Sequence, residues 1–386
     1  MRSDWLKNMD ISLVSLSSLS ALGSHRKAAE NYANGHAYLT EVQTHADSVW
    51  AGRIPAEMRE KVLSSIGKEY PGLDETVYFA IWCAREAVAA AGWESTGDFG
   101  LNLGSSRGAT GLTETYHRQF LESGSVGTLA SPSTTLGNIA SWTAHDLGCR
   151  GPALSHSITC STVMHAVLNA CAWLESGMVK RFVAGGSEAP LTPFTFAQMQ
   201  ALKLYTRESL PYPSRPLDTK KTNNTLALGE GAAMACLVKG PHPRARASIA
   251  GVGFATEPMQ HGASLSARAD CLKSSMKMAL KGNDPRKVDA VILHAPGTLK
   301  GDHAEVQAVK DIFGEADPQL ISNKWKIGHT LGVSGMLSME LALLLLEGKS
   351  YAPPGYLSDD TRPAYRQILV NSVGFGGNAV SLLLTK

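Results

Sequence analysis

The sequence predicts an α/β fold in which a mostly parallel sheet is covered by helices on its faces. Short apolar runs with strand character alternate with helical patterns along the chain, as expected of parallel strands joined by helical crossovers. With 386 residues, 44% of them hydrophobic, the chain can bury a large core. It contains no low-complexity run, no charge block and no long Gly/Ser-rich or Pro-rich linker, so the composition marks no flexible boundary between independent domains.

The first series of elements ends near residue 240. Its predicted strands cover residues 11–15, 99–103, 154–158, 181–184 and 233–238, and its predicted helices cover residues 76–91 and 161–176. The second of these helices is well supported, because Val163, Ala166 and Val167 belong to an apolar pattern with three to four residue spacing. Residues 205–224 are polar and rich in turn formers, which predicts a long surface connection.

The second series of elements begins near residue 247. Its predicted strands cover residues 248–254, 290–294, 368–372 and 380–384, and its predicted helices cover residues 264–280, 303–313 and 332–346. The two series look like two similar halves. We therefore expect the chain to divide into residues 1–245 and residues 246–386.

Composition and charge argue against several classes of function. The formal net charge of +2 is spread through the chain and gives no electrostatic case for nucleic acid or an anionic membrane. No apolar run is long enough for a membrane span, and no N-terminal stretch has the pattern of a signal peptide. Six cysteines without paired spacing argue against a disulfide framework and against a zinc site. The sequence thus predicts a cytoplasmic protein without a metal or cofactor.

Cys160 is the most informative residue of the chain. It stands where an apolar segment of small residues, 151–159, ends and the predicted helix at 161–176 begins. The free N–H groups and the dipole of a helix start favour thiolate over thiol, so we expect a lowered thiol pKa and a nucleophile. A buried, inert cysteine is the alternative, because that is the commoner fate of cysteine in an apolar segment. The segment by itself leaves both interpretations open.

Three motifs follow one another at wide spacing. They are Thr-Cys-Ser-Thr at residues 159–162, Ser-Asn-Lys-Trp-Lys-Ile-Gly-His-Thr-Leu-Gly-Val-Ser-Gly at 322–335, and Asn-Ser-Val-Gly-Phe-Gly-Gly-Asn at 371–378. In this order they resemble the active-site signatures of the β-ketoacyl-ACP synthases, the decarboxylating condensing enzymes of the thiolase superfamily. Further matching segments at residues 103–108, 184–188, 214–218 and 228–232 extend the resemblance over nearly the whole chain.

The resemblance implies a more specific architecture than the pattern of elements does. The thiolase superfamily is built from duplicated βαβ halves, so we expect a thiolase-like fold with layers in the order α-β-α-β-α. The half at residues 1–245 carries the nucleophile, and the half at residues 246–386 carries the histidine and glycine-rich motifs. Residues 107–133 resemble the family's excursion that builds the dimer contact and the pocket floor.

The resemblance also implies roles for single residues. It makes Cys160 the acyl acceptor and assigns the oxyanion to the backbone N–H groups of Cys160 and Phe375. Gly376 belongs to the glycines that let this backbone approach the substrate closely. His329 matches the histidine that donates a hydrogen bond to the thioester carbonyl. Lys324 matches the lysine that orders the histidines, although its residue type alone favours a solvated surface position.

Residues 293–305 depart from the family's pattern. The family has Ala-His-Gly-Thr here, and an alignment on Gly297 and Asp302 puts Pro296, which has no imidazole and no N–H, in the place of the first catalytic histidine. His294 stands two residues earlier, and residues i and i+2 of an extended strand face the same side. His294 is therefore either a substitute for the lost histidine or a strand-end residue without a chemical role.

Three other positions complete the candidate site. Thr298 is expected to contact the substrate, and Val373 stands where many family members have a gating phenylalanine, so its smaller side chain widens the pocket or removes the gate. His303 opens a predicted helix, where a polar residue more often faces solvent.

Three functions remain open from the sequence. The first is a β-ketoacyl-ACP synthase in fatty acid, polyketide or polyene-type synthesis, or an acyltransferase that has lost the decarboxylation step. The second is a non-condensing partner subunit similar to a chain-length factor, which the lost histidine favours and the retained Cys160 disfavours. The third, a thiolase, is disfavoured because residues 374–377 contain no second active-site cysteine. The implied partners are an acyl carrier protein and a second subunit, in a homodimer or in a heterodimer with a paralogue.

Overall fold

The computed structural model describes residues 9–44, 47–93, 97–258, 266–358 and 362–386. The strands are β1 (Ile11–Ser20), β2 (Gly23–Ser24), β3 (Thr40–Gln43), β4 (Ser48–Gly52), β5 (Gly100–Gly104), β6 (Ala153–His156), β7 (Arg181–Glu188), β8 (Leu228–Gly229), β9 (Gly231–Lys239), β10 (Ala247–Thr256), β11 (Ala290–Ile292), β12 (Gln319–Ile321), β13 (Gln367–Gly374) and β14 (Asn378–Thr385). The helices are α1 (His25–Ala33), α2 (Ala56–Glu69), α3 (Glu75–Ala91), α4 (Thr110–Ser123), α5 (Ala130–Thr134), α6 (Asn138–Asp146), α7 (Thr162–Glu175), α8 (Pro193–Ala201), α9 (Asp270–Ala279), α10 (Leu299–Phe313), α11 (Lys324–Ile327) and α12 (Ser334–Leu346).

Two large sheets form the framework of the protein. The first has the strand order β2-β1-β9-β7-β5-β6, and the second has the order β10-β14-β13-β11-β12. Both sheets are mixed: β5 is parallel to β6 and β7, and β11 is parallel to β12 and β13, but β9 and β14 are antiparallel to their neighbours. The expectation of a mostly parallel sheet is therefore wrong. The physical reason is clearest at β13 and β14, because their three-residue connection permits only an antiparallel pair.

Five layers of secondary structure stack on one another. Helices α7 and α12 lie between the two sheets and join both in one hydrophobic core. Every residue of α12 is buried, as expected of a helix that is apolar all round. Helices α2, α3 and α6 cover the outer face of the first sheet, and α9 and α10 cover that of the second. This is the predicted α-β-α-β-α arrangement.

Alternation of side chains along single strands builds these layers. In β13, Ile368 and Val370 point to the layer between the sheets, whereas Leu369 points to the outer helices.

Helix α3 is held at both ends by local chemistry. Asp74 accepts a hydrogen bond from the N–H of Thr76 at its start, and Gly92 ends it with φ of 68°.

Several element boundaries differ from the sequence prediction. Strand β1 continues to Ser20, because its serines are buried and hydrogen-bonded instead of forming a turn. Residues 264 and 265, the start of one predicted helix, lie outside the described residues, and α9 begins at Asp270. Residues 205–224 contain no helix or strand, as predicted, but Ser214 and Asp218 within them are buried. Among the helices that the structure describes, none has the length and apolar character of a membrane span.

Candidate active site

A strained turn between β6 and α7 presents Cys160. The preceding Thr159 has φ of 47°, a left-handed conformation that costs a residue with a side chain about 1–3 kcal/mol. Thr162, the first residue of α7, holds this turn from both sides: its hydroxyl accepts a hydrogen bond from the N–H of Ile158 at 2.9 Å and donates one to the carbonyl of Thr159 at 2.6 Å. Cys160 is buried at the bottom of the turn.

The glycine-rich turn between β13 and β14 packs directly on the cysteine turn. A Cβ atom on Gly374 would lie 1.9 Å from the hydroxyl oxygen of Thr159, so only glycine allows this approach. The same Thr159 hydroxyl donates to the carbonyl of Phe375 at 3.2 Å, and the hydroxyl of Ser372 donates to the carbonyl of Cys160 at 3.2 Å. The backbone of Phe375 is also hydrogen-bonded to the Cys160 sulfur.

His329 faces the sulfur from the other half of the chain. Its Nε2 lies 3.3 Å from Sγ of Cys160, and its Nδ1 lies 2.8 Å from Oγ of Ser334, the first residue of α12. The preceding Gly328 has φ of 72°, and the N–H of His329 donates to the carbonyl of Ala227 at 2.7 Å. Backbone and side chain together fix the ring with one nitrogen toward Cys160.

His294 lies in the same site. Its ring centroid is 5.1 Å from that of His329 at an interplanar angle of 86°, and the three groups of Cys160, His294 and His329 have polar atoms within 4.8 Å of one another. The buried Nδ1 of His294 has no hydrogen-bond partner among the described residues. Pro296 also lines the cavity, but the imidazole in this part of the site belongs to His294.

Lys324 is buried behind the two histidines, so the surface position that its residue type favours is wrong. The Nζ of Lys324 donates to the carbonyl of Leu293 at 3.5 Å, and its charge faces the carboxylate of Glu305. Glu305 accepts hydrogen bonds from the N–H of His294 at 2.9 Å and of Ala295 at 2.7 Å. The sequence motifs do not indicate a role for Glu305, although it lies one helical turn after Asp302, which is buried as well.

Burial dominates the electrostatics of the site. It raises the pKa of the Cys160 thiol to about 12, the charge of Glu188 adds to this rise, and Lys324 opposes it. The expected lowering of this pKa by the helix start is therefore wrong, because an apolar environment penalises the thiolate more than the helix stabilises it. Burial also lowers the pKa of His329 to about 3 and the pKa of His294 well below its usual value, with Lys324 contributing to both.

These pKa values fix the protonation state of the site at neutral pH. Cys160 is a thiol, and both histidines are neutral imidazoles, each with one nitrogen that can donate and one that can accept. The Nε2 of His329 is within reach of the thiol proton. Burial lowers the pKa of Lys324 and raises that of Glu305, and each charge opposes the shift of the other.

Cys160, His294 and His329 line a cavity of about 520 Å³. Of the predicted substrate contacts, Thr298, Val373 and Phe375 line this cavity, whereas Gly376 lies in the adjoining turn with φ of 92°. Met199, Leu204, Leu226 and Leu331 add to the apolar part of the lining. Lys300 lies exposed at the cavity rim, and His303 faces solvent, as expected.

The set Cys160, His294 and His329 also has the ligand types that zinc prefers in proteins. The spacing of the cysteines in the sequence predicts no metal site. The geometry suits thiol chemistry as well, since a neutral imidazole lies 3.3 Å from the sulfur.

Comparison with known proteins gives a consistent result. A family model described as the β-ketoacyl synthase N-terminal domain matches residues 20–241, and one for the C-terminal domain matches residues 246–355. The 3-oxoacyl-(acyl-carrier-protein) synthase 2 of Vibrio cholerae serotype O1 is 28% identical over 379 residues, which cover 89% of this chain and 89% of that protein. Nodulation protein E of Rhizobium meliloti is 29% identical over 309 residues, or 74% of this chain and 73% of its own.

Solved structures show the same fold. The structure described as the ishigamide ketosynthase/chain length factor matches with a TM-score of 0.85 at 19% identity, over 98% of this chain and 99% of that chain. A β-ketoacyl synthase from Burkholderia phymatum matches with a TM-score of 0.81 at 24% identity, over 98% and 99%. Because the two family models together span most of the sequence, and the fold agrees, this chain belongs to the β-ketoacyl synthase family of the thiolase superfamily.

Proposed function

We propose that this protein is a β-ketoacyl-ACP synthase that transfers an acyl group from a carrier thioester to Cys160 and condenses it with a malonyl-carrier extender. The observation that supports this proposal is the set of Cys160, His294 and His329 in one buried cavity. A nucleophile next to a neutral imidazole, with a second imidazole within reach, is the chemical set that both half-reactions need.

Acyl transfer uses the contact between Cys160 and His329. The sulfur attacks the thioester carbonyl while Nε2 of His329 takes the thiol proton, and the leaving carrier thiolate then receives that proton. The tetrahedral oxyanion is held by the N–H groups of Cys160 and Phe375, which the two packed turns bring together. The products are an acyl thioester on Cys160 and a free carrier thiol.

Condensation uses both histidines. When the malonyl carrier loses carbon dioxide, the electron pair of the broken bond forms an enolate whose oxygen is stabilised by donated hydrogen bonds from His294 and His329. The enolate carbon attacks the Cys160 thioester, the β-ketoacyl carrier leaves, and the thiolate takes up one proton. The unpartnered Nδ1 of His294 supports its role; Glu305 holds the backbone N–H of His294, and the charge of Lys324 acts on both rings. We therefore propose His294, and not residue 296, as the first histidine of the family in this chain.

A non-condensing partner subunit is the alternative, since two solved structures with this fold are described as containing chain length factors. The buried contact between Cys160 and His329 favours the catalytic role, because a subunit that only shapes a partner's pocket has no need of a nucleophile beside a base.

We propose an acyl carrier protein and a second subunit as partners. A solved structure with this fold is described as a ketosynthase in complex with an acyl carrier protein. On this chain, the exposed Lys300 at the cavity rim suits the phosphate of a carrier's pantetheine arm. The exposed edge strand β6 and the exposed apolar residues of α4 support a homodimer or heterodimer contact. A cytoplasmic location is supported by the six free thiols.

Intact-mass measurement tests the proposal directly. The protein is incubated with hexanoyl-coenzyme A, and malonyl-coenzyme A is then added. We expect one hexanoyl adduct that maps to Cys160, is absent from Cys160→Ser, and is discharged with release of carbon dioxide. A stable adduct without discharge would indicate acyl transfer only, and an adduct unchanged in Cys160→Ser would refute the assignment of the nucleophile.

A further inference from the structure

Arg107 brings a positive charge into the lining of the substrate cavity. It follows β5 closely, is half-buried, and lines the same cavity as Cys160. Its charge is near enough to contribute to lowering the pKa of the Cys160 thiol against the larger effect of burial. Cavity linings in which most side chains are apolar use their few polar groups to orient and select the ligand.

The guanidinium of Arg107 has no counter-ion among the described residues. Its Nη2 donates a hydrogen bond at 2.7 Å to Oε1 of Gln198 on α8, and it forms no salt bridge with a described carboxylate. A neutral amide holds the side chain in place without cancelling its charge. A half-buried cation of this kind, with donors left over, is set up to receive an anion.

The apolar lining indicates where such an anion would come from. Cys160, Met199, Leu226 and Leu331 belong to one hydrophobic cluster, so an acyl chain on the sulfur has apolar side chains to lie against. Met199 is the neighbour of Gln198, the residue that holds Arg107. Met199 and Arg107 line the same cavity, so an acyl chain that follows this surface has the guanidinium within the same space.

We infer that Arg107 binds a substrate carboxylate, and that the carboxylate is either at the far end of a dicarboxylic acyl group or on the malonyl extender. The planar fork of arginine matches a carboxylate with two parallel hydrogen bonds. The inference rests on the proposed acyl-transfer function of Cys160 and adds the class of substrate to it.

Ligand protection of Cys160 tests this inference without turnover. Alkylation of Cys160 by iodoacetamide is measured with free adipate, malonate or hexanoate in the wild type, Arg107→Met and Arg107→Lys, with the exposed Arg26→Met as control. We expect adipate or malonate to protect the wild type and the Arg26 variant. The apparent Kd should rise about 10- to 100-fold in Arg107→Met and less in Arg107→Lys, while protection by hexanoate stays unchanged.

Acylation rates separate the two sources of the carboxylate. If the acyl chain carries it, Arg107→Met slows acylation by adipoyl-coenzyme A by a larger factor than acylation by hexanoyl-coenzyme A, because only the loss of charge near the thiol is common to both. If the extender carries it, the variant slows release of carbon dioxide from malonyl-coenzyme A by the hexanoylated enzyme. Hexanoylation of Cys160 without any effect of Arg107 on either carboxylate would overturn this inference alone. Absence of acylation in the wild type would overturn the proposed function, and the protection experiment would still decide the inference.

Discussion

At the scale of single residues, the proton between Cys160 and His329 determines how the nucleophile forms. Both groups are neutral in the resting site, because burial penalises the thiolate and the imidazolium alike. In the proposed reaction, the sulfur becomes a thiolate only as it attacks, when Nε2, 3.3 Å away, takes its proton. A resting site without charge on these two groups also avoids unproductive alkylation of the cysteine.

The pH dependence of cysteine alkylation follows from this arrangement. Because the pKa of Cys160 is raised to about 12, its thiolate fraction should grow with pH, without a plateau, between about pH 6 and pH 10. Peptide-level mass spectrometry after iodoacetamide treatment measures this rate at Cys160. Burial raises the pKa of Glu188 itself to about 7, so Glu188→Gln removes a charge that raises the Cys160 pKa only above that pH, and should speed the reaction there. A plateau below about pH 8 would contradict the prediction.

Substitution of His294 and substitution of His329 should affect the two half-reactions differently. Loss of one enolate donor costs about 100- to 1000-fold in rate, so His294→Ala should slow malonyl decarboxylation by that factor and leave acylation of Cys160 largely intact. His329→Ala should impair both steps, because His329 contacts the sulfur. Single-turnover assays of acylation and of carbon dioxide release measure the two effects.

Pro296→His provides the matched comparison. Since the imidazole of His294 already lies beside His329, adding another at 296 should give no gain in decarboxylation. Rapid decarboxylation in His294→Ala, or a large gain in Pro296→His, would assign the role of the first histidine to a different group.

At the scale of elements, two turns from opposite halves of the chain meet at the proposed oxyanion site. The cysteine turn belongs to the first sheet and the glycine turn to the second, and they meet where Gly374 touches Thr159. Their contact depends on the absence of a side chain at one position. We therefore expect activity to be sensitive to a methyl group at this position, although it takes no part in the chemistry.

Gly374→Ala tests this contact. Its Cβ would lie 1.9 Å from the Thr159 hydroxyl oxygen, so we expect a loss of about 1–3 kcal/mol in the free energy of unfolding and slower acylation of Cys160. Gly35→Ala is the control, because no atom lies within 4 Å of its added Cβ and its backbone has no positive φ. Urea titration and adduct formation measure the two effects. Equal stability and equal acylation in the two variants would show that the turns do not depend on each other.

At the scale of the whole molecule, one side of the protein has an exposed strand edge next to a helix with exposed apolar side chains. Strand β6 ends the first sheet with its residues exposed or half-buried, and α6 packs on it. Helix α4, which packs on α5 next to α6, has no buried residue and exposes Phe120 and Leu121. An exposed strand edge beside exposed apolar side chains is the kind of surface that a second subunit covers.

Introducing negative charge on this surface by substitution should dissociate the dimer. We expect the wild type to be a dimer at micromolar concentration and Phe120→Glu with Leu121→Glu to be mainly a monomer, because burial of two carboxylates in an apolar contact is unfavourable. Phe254→Glu, at an exposed apolar residue of the second sheet, is the control and should remain dimeric. Light scattering after gel filtration measures the masses. A monomeric wild type would remove the dimer from the proposal.

Sequence patterns by themselves determined the α/β class and the longer strands and helices of the two sheets, and the family resemblance added the candidate site; the short strands β2, β3, β4, β8 and β12 and seven of the helices that the structure describes were not predicted. Cys160, His329 and Phe375 belong to contiguous motifs, and a motif keeps its local geometry wherever the chain places it. The five layers followed from the same resemblance, and the division at residue 245 stays a prediction. The sequence did not indicate that each sheet contains both parallel and antiparallel pairs, because an apolar run does not encode the direction of the neighbouring strand.

Only the tertiary structure decided which imidazole joins His329, how deeply Lys324 is buried and how the thiol ionises. Alignment on Gly297 suggested a missing histidine, but the end of β11 and the start of α10 direct His294 into the cavity beside Cys160. The residue type of Lys324 favours the surface, but the structure buries it with the carbonyl of Leu293 as a hydrogen-bond acceptor and with the carboxylate of Glu305 facing its charge. Burial depends on what packs around a residue from distant parts of the chain, and it shifts a pKa more than the local helix start does.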